Sequence, residues 1–155
     1  MTDYAANTAV MNTYGRAEIA FVRGHGCWLE SESRERYLDC ASGIAVNTLG
    51  HAHPRLVAAL NDQASKLWHT SNLYRIPGQE QVAKRLASLS GLDQVFFCNS
   101  GAEATEAAVK IARRAAYEQG MTDRTTILCA RGAFHGRTLG MLAATDRPAF
   151  RTGFG

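Results

Sequence analysis

The segment 95–114 constrains the fold more than any other part of the chain. Val95–Cys98 is a short, continuous apolar run, which is typical of a strand covered on both faces. After a turn-forming Asn-Ser-Gly, Ser100 and the Glu103 that follows it form a capping box. We therefore predict a buried strand, a tight turn and a long helix that ends near Gly120.

The turn before this helix has the chemistry of an anion site. A helix start leaves backbone N–H groups unpaired at its positive end, and Gly101 has no side chain to obstruct a close approach. The Ser100 hydroxyl can donate a further hydrogen bond. A phosphate seat and an ordinary capped helix are both compatible with these residues. The chain has neither a Walker A loop nor a dinucleotide-binding fingerprint.

The rest of the chain has the pattern of an α/β protein. After a polar arm at Met1–Thr13, three runs predict an antiparallel meander: Ala17–Arg23, Cys27–Glu30 and Arg36–Cys40. Apolar spacing predicts helices that start at Pro54, Gln79 and Leu139. The run Thr125–Ala130 predicts a second buried strand.

Composition narrows the class of protein. Hydrophobic residues make up 46% of the 155 residues, which is enough for a globular core, and the net charge of +3 is too small to argue for nucleic acid. No apolar run is long enough to span a membrane, and the N-terminus has no signal-peptide pattern. The four cysteines lack C-x-x-C spacing, so we expect buried free thiols in a reducing cytoplasm.

The predicted strand–helix–strand unit places two loops side by side. A right-handed parallel crossover brings the loops that follow both strands to one edge of the sheet, where ligands bind in open α/β sheets. The second loop offers Phe134 as a ring platform, Arg137 as a carboxylate clamp and His135 as a candidate cofactor contact. Core packing, a solvated surface arginine and a structural histidine are the respective alternatives.

Two other constellations are less informative. His51 and His53 have metal-like spacing, but no third ligand cluster accompanies them, so we expect a loop-ordering role or an N-cap at His53, and no metal. Ser100 and His135 are not surrounded by a nucleophile elbow. A phosphate seat, a ring platform and a carboxylate clamp together favour pyridoxal phosphate (PLP) with an amino-acid substrate.

Several motifs, in the same order along nearly the whole chain, resemble the class III, fold-type I aminotransferases. They are Tyr37–Asp39, Gly43–Asn47, Leu49–Pro54, Leu67–Tyr74, Phe96–Ala104 and Phe134–Thr138. The resemblance implies a PLP enzyme, dimeric, with its active site at the subunit interface.

The resemblance also implies residue roles. It assigns the cofactor phosphate to Ser100, Gly101 and Ala102, the ring contact to Phe134, and the α-carboxylate of the substrate to Arg137. It places residues 1–53 in an N-terminal arm, meander and interface loop of a small domain, and residues 54–155 at the start of an incomplete PLP-binding large domain.

The chain departs from the family pattern at one position on the predicted long helix. Thr105 stands where the family usually has Asn, and we expect this change on the helix surface to be mild.

A larger departure is length. The family's chains are much longer, and the resemblance implies that the Schiff-base lysine lies beyond Gly155, together with the acid at the ring nitrogen. Lys66, Lys84 and Lys110 fit solvated helix faces, so we predict no catalytic residue here and an inactive segment. A non-catalytic phosphate-ligand or nucleotide-binding α/β module, or a truncated partner of a complete subunit, remains the alternative.

Overall fold

The computed structural model describes residues 9–154. They fall into two compact units that divide between Arg75 and Ile76. Of the predicted polar arm Met1–Thr13, the first eight residues lie outside the described range. Gly155, after which we expect the Schiff-base lysine, lies outside this range as well.

The first unit contains the predicted antiparallel meander. Strands β1 (Phe21–His25), β2 (Trp28–Ser31) and β3 (Arg36–Leu38) form a sheet in the order β1-β2-β3. His25 pairs with Trp28, and Trp28 pairs with Leu38 on its other side. The meander is confirmed, although β1 begins later than predicted and the turn falls at Gly26 and Cys27.

A polar junction ties the end of this sheet to the loop that follows. Asp39 Oδ2 lies 2.7 Å from His51 Nε2, and Asp39 Oδ1 accepts hydrogen bonds from the backbone N–H groups of Ala41 and Ser42. His51 also exchanges two backbone hydrogen bonds with Gly26. His51 therefore orders the loop, as the sequence predicts.

Two short elements follow in this unit. The turn α1 (Ser42–Ala45) has positive φ at every residue, and α2 (Pro54–Ala64) begins at the predicted proline. The carbonyl of His53 accepts the first hydrogen bonds of α2, while its side chain makes no cap bond.

The second unit is built from four helices among the described residues. They are α3 (Pro77–Ser90), α4 (Gly101–Glu118), α5 (Leu139–Ala143) and α6 (Pro148–Arg151). Gly91 ends α3 with a φ of 72°, as predicted. Gly120 follows α4 with a φ of 77°, and the Met121 N–H donates to Ala116 O in the Schellman arrangement. None of the helices in the described range is both long and apolar enough to cross a membrane.

Two strands predicted from apolar runs are absent from residues 9–154. Val95–Cys98 and Thr125–Ala130 carry no strand pairing, so this part of the prediction is wrong for the described structure. A strand needs a neighbour to bond its N–H and C=O groups, and no described segment pairs with either run. All four thiols are free, as predicted, but the prediction that they are buried is wrong, because Cys27, Cys40, Cys98 and Cys129 are all exposed.

Four side chains are buried in the described part of the second unit: Ala116 on α4, Met141 and Leu142 on α5, and Thr145 directly after α5. Thr145 is only 1% exposed, and its hydroxyl donates to Met141 O at 2.8 Å and accepts from the His135 N–H at 3.0 Å. This hydroxyl therefore connects the end of α5 to the loop that precedes it.

The Asp39–His51 contact should make the first unit sensitive to acid. The hydrogen bond from His51, followed by that from the Ser42 N–H, lowers the pKa of Asp39 below 3.8. Because the folded state favours the ionised carboxylate, Asp39 stabilises the fold at pH values above its unfolded pKa, and this stabilisation is lost as the pH falls through the folded pKa.

We expect Asp39→Asn to remove this acid dependence of stability, measured by Trp28 fluorescence in a Trp68→Phe background. Asp62→Asn, which breaks only an exposed pair with Lys66, is the control; equal acid profiles for the parent and Asp39→Asn would contradict the assignment.

Replacing Thr145 should destabilise the second unit. Thr145→Val keeps the shape of the side chain but leaves the His135 N–H without its partner, at a cost of about 1–3 kcal/mol in the free energy of unfolding. Urea denaturation followed by circular dichroism measures this change. The control is Thr152→Val, whose exposed hydroxyl bonds only to Pro148 O in its own helix. Equal losses in both variants would refute a special role for Thr145.

Candidate functional site

The start of α4 is capped by side chains from both directions. Ser100 has an extended backbone, and its Oγ accepts from the Glu103 N–H at 3.2 Å. The Glu103 carboxylate reaches back to the Asn99 N–H at 2.6 Å, one residue before the position expected for a capping box. Hydrogen bonds from the Asn99 side chain and backbone lower the pKa of Glu103, so this carboxylate is ionised at neutral pH.

Two backbone donors remain at this helix start. Among the described residues, nothing accepts a hydrogen bond from the N–H of Gly101 or of Ala102. Apart from the helix's own backbone and the two residues next to Gly101 in the chain, no heavy atom of the described residues lies within 4 Å of the position that a Cβ on Gly101 would take. Unpaired N–H donors at the positive end of a helix, beside a residue without a side chain, suit a small anion.

The loop that contains Phe134 packs directly on this first turn. A Cβ on Gly136 would lie 2.8 Å from the Cβ of Ala102, so the approach depends on the missing side chain. The φ of Gly136 is 128°, a conformation that glycine alone adopts readily. The hydroxyl of Thr105 bonds to His135 O at 2.6 Å. The prediction that the two loops meet is confirmed, because these contacts join the segments directly.

The aromatic ring and the guanidinium of the loop lie next to each other. Phe134 is 54% exposed and makes an edge-to-face contact with Phe150, with ring centroids 6.1 Å apart. The Arg137 guanidinium lies 3.7 Å from the Phe150 centroid and 5.8 Å from that of Phe134. Arg137 is therefore held by stacking, while its N–H groups form no ion pair with any described residue.

His135 contacts the neighbouring residues of the site through its backbone N–H and C=O groups. Its N–H donates to Thr145 and its C=O accepts from Thr105. The Ser100 hydroxyl contacts Glu103, and no bond joins Ser100 to His135 within the described range, so the geometry does not support a nucleophilic pair. No group of three His, Cys, Asp or Glu side chains in residues 9–154 is arranged to hold a metal.

The sequence patterns do not predict several of the residues that hold the site together. Thr105 was expected on the helix surface, but it is half-buried against the loop, so that expectation is wrong. Glu106 bonds to Thr138, and Asp146 Oδ2 accepts from the Gly132 N–H. A signal was available: Thr105 and Glu106 follow Ala102 at helical spacing and therefore share its face.

The residues at the start of α4 and in the loop 134–138 suit the two ends of PLP, its phosphate and its pyridine ring. Two unpaired N–H groups with open space above Gly101 suit a phosphate, and an exposed ring at Phe134 suits a flat heterocycle.

Lys110 lies on α4, nine residues beyond Gly101, which places it about 13 Å along the helix axis from the predicted phosphate seat. The expectation that the Schiff-base lysine lies beyond Gly155 stays a prediction, because Gly155 itself is outside the described residues.

The chain is similar to known aminotransferases along its length. Residues 9–155 match the family described as Aminotransferase class-III. An acetylornithine aminotransferase of Agrobacterium fabrum is 53% identical over 150 residues, which cover 97% of this chain and 38% of that protein. The chain thus spans little more than a third of the length of the curated relatives that it matches.

Solved structures agree with this match. The N-acetylornithine aminotransferase of Stenotrophomonas maltophilia superposes with a TM-score of 0.74 at 43% identity, over 78% of this chain and 34% of that one. The ornithine aminotransferase of Toxoplasma gondii superposes with a TM-score of 0.87 at 30% identity, over 95% of this chain and 35% of that one. The predicted fold class, a meander and helices from the first part of a PLP-transferase fold, is therefore confirmed. The family match over nearly every residue shows that this chain belongs to the class III aminotransferases, a family of PLP-dependent enzymes.

Proposed function

We propose that this chain is the N-terminal part of a PLP-dependent aminotransferase that transfers an amino group between N2-acetylornithine and 2-oxoglutarate, with glutamate as the partner amino acid. The observation that carries the proposal is the packing of Gly136 on Ala102, which brings an anion seat, an exposed ring and a guanidinium into one unit. The name of the Agrobacterium fabrum relative supports the choice of acetylornithine.

On this proposal the backbone of α4 holds the cofactor. The N–H groups of Gly101 and Ala102 would bind the phosphate, and the Ser100 hydroxyl, 3.3 Å from Glu103 Oε2, could turn from that carboxylate to the phosphate. Phe134 would contact the pyridine ring, and the backbone bonds of His135 to Thr105 and Thr145 hold the loop in place. When bound, PLP supplies the electron sink for amino-group transfer.

Arg137 has the properties of a carboxylate clamp. Its guanidinium stacks on Phe150, which fixes the plane of the group while leaving the N–H edge available. A planar guanidinium held in this way can donate two parallel hydrogen bonds to the α-carboxylate of an amino acid.

The remaining features of the proposal concern the whole protein. Residues 1–53 belong to a small domain and residues 54–155 begin the large, PLP-binding domain; the enzyme is a homodimer and works in the cytoplasm, in arginine biosynthesis. Succinylornithine, ornithine and 4-aminobutyrate are the alternative substrates, and ornithine is favoured among them by the similarity to the Toxoplasma gondii enzyme.

A chimera tests the proposed activity. We expect this chain, joined to the remaining part of the Agrobacterium fabrum relative, to bind PLP and to transaminate N2-acetylornithine faster than the three alternative substrates. Steady-state kinetics with 2-oxoglutarate as the acceptor measures the preference. A chimera that is loaded with PLP but prefers another of the four would correct the substrate, and tighter binding of ATP or NAD than of PLP would overturn the proposal.

The Arg137 assignment is tested in the same chimera. Arg137→Lys retains the charge but loses the two-point hydrogen bond, so kcat/KM for the amino-acid substrate should fall about 10- to 100-fold, with PLP affinity unchanged. The control is Arg147→Lys, which alters an exposed arginine that caps α6 without a side-chain bond. Equal kinetics in the two variants would remove Arg137 from the substrate site.

The 155-residue chain alone should not transaminate. Lys66 is paired with Asp62 on the surface, and Lys84 and Lys110 are exposed on helices, so none is placed to bond to PLP. Borohydride reduction of the chain with PLP, followed by peptide mass spectrometry, should label no single lysine stoichiometrically. Stoichiometric labelling of one lysine together with turnover would show that this prediction is wrong.

A further inference from the structure

We propose that Thr105 and Glu106 are positioning residues that hold the loop 134–138 on the first turn of α4 and so set the spacing between the phosphate seat and the ring platform. The proposal rests on the proposed function for the identity of the ligand. The contacts on which it depends are present without any ligand.

Thr105 makes its main contact with the loop. Its single hydroxyl proton has three carbonyl acceptors in reach: Gly101 O at 3.1 Å, Ala102 O at 2.9 Å and His135 O at 2.6 Å. The shortest of these is the only one outside its own helix. A threonine that bonded only to the preceding turn would be an ordinary helix residue. The bond to His135 joins two segments that are thirty residues apart.

Glu106 makes a second contact one residue further along α4. Its Oε1 lies 2.7 Å from Thr138 Oγ1, and that hydroxyl caps α5 by accepting from the Met141 N–H. A Cβ on Gly140 would lie 2.6 Å from the same carboxylate oxygen. The missing side chain at Gly140 therefore lets Glu106 lie close over the start of α5.

The two contacts enclose the functional part of the loop. Thr105 holds the carbonyl between Phe134 and Arg137, and Glu106 holds Thr138 at the end of the loop. Both anchors lie on the same rigid helix as the Gly101 and Ala102 N–H groups. The geometry of these first turns of α4 therefore sets the distance between the phosphate seat and the ring of Phe134.

Thr145 holds the same loop from the other side. It bonds to the His135 N–H, whereas Thr105 bonds to the His135 C=O. Loss of the Thr105 hydroxyl should therefore leave the loop attached to α5 but loosen it from α4. This separates a positioning role from a contribution to overall folding.

The test uses Thr105→Val and Thr105→Ser in the chimera described above. Thr105→Val should weaken PLP binding about five- to tenfold, the value of one hydrogen bond, because the ring platform is no longer held at the right distance. Binding of inorganic phosphate, which needs only the helix start, should stay unchanged, and Thr105→Ser should restore PLP affinity. Calorimetry with each ligand measures both. Thr152→Val, which removes a hydroxyl bonded only within its own helix, is the control.

A second measurement needs no ligand. In the 155-residue chain, amide hydrogen exchange of residues 134–138 should be faster in Thr105→Val and in Glu106→Ala, while Glu106→Gln, which retains an acceptor oxygen, should resemble the parent. Exchange in the later turns of α4 should not change.

The outcomes separate the two proposals. If the parent chimera neither binds PLP nor transaminates, the proposed function fails, and the exchange of the loop still decides the role of Thr105. If loop exchange is unchanged in Thr105→Val, or if phosphate and PLP binding weaken equally, the positioning role is overturned.

Discussion

The close approach of Gly136 to Ala102 is the contact on which the second unit depends. Any side chain at Gly136 would collide with the first turn of α4, and the Thr105–His135 hydrogen bond closes the same gap from the side. Thr145, buried and bonded to both Met141 and His135, fixes the other face of the loop. A helix start and a loop thirty residues away thereby become one rigid surface, and every functional assignment made for Ser100, Phe134 and Arg137 requires that surface.

The features that were predictable from the sequence arise from interactions between near neighbours in the chain. The Ser100–Glu103 cap, the proline that starts α2 and the glycine that ends α3 each depend on a few consecutive residues, so their patterns can be read directly. The meander is nearly as local, because its strands are joined by short turns. These elements were correctly placed within a few residues.

The features that were not predictable depend on distant partners. Val95–Cys98 and Thr125–Ala130 have strand composition, but strands form only against neighbours, and Leu128 is 92% exposed in the described structure. The parallel crossover was therefore the wrong reason for expecting the two loops to meet. The meeting is produced instead by a half-buried Thr105 and by the absence of a side chain at Gly136, which no periodicity reveals.

The proposed phosphate seat depends on the hydrogen bonds at the start of α4. Of the first four N–H groups of α4, that of Glu103 is capped by Ser100 and that of Ala104 bonds to Ser100 O. Capping explains these two, and the Glu103 carboxylate accepts hydrogen bonds from the Asn99 N–H and from the Ser100 hydroxyl. Capping leaves the N–H groups of Gly101 and Ala102 without an acceptor among the described residues, and Gly101 has no side chain to obstruct an approach. Such groups bind water or another external acceptor, and the positive end of a helix favours an anionic one, which is the physical basis of the proposed phosphate seat.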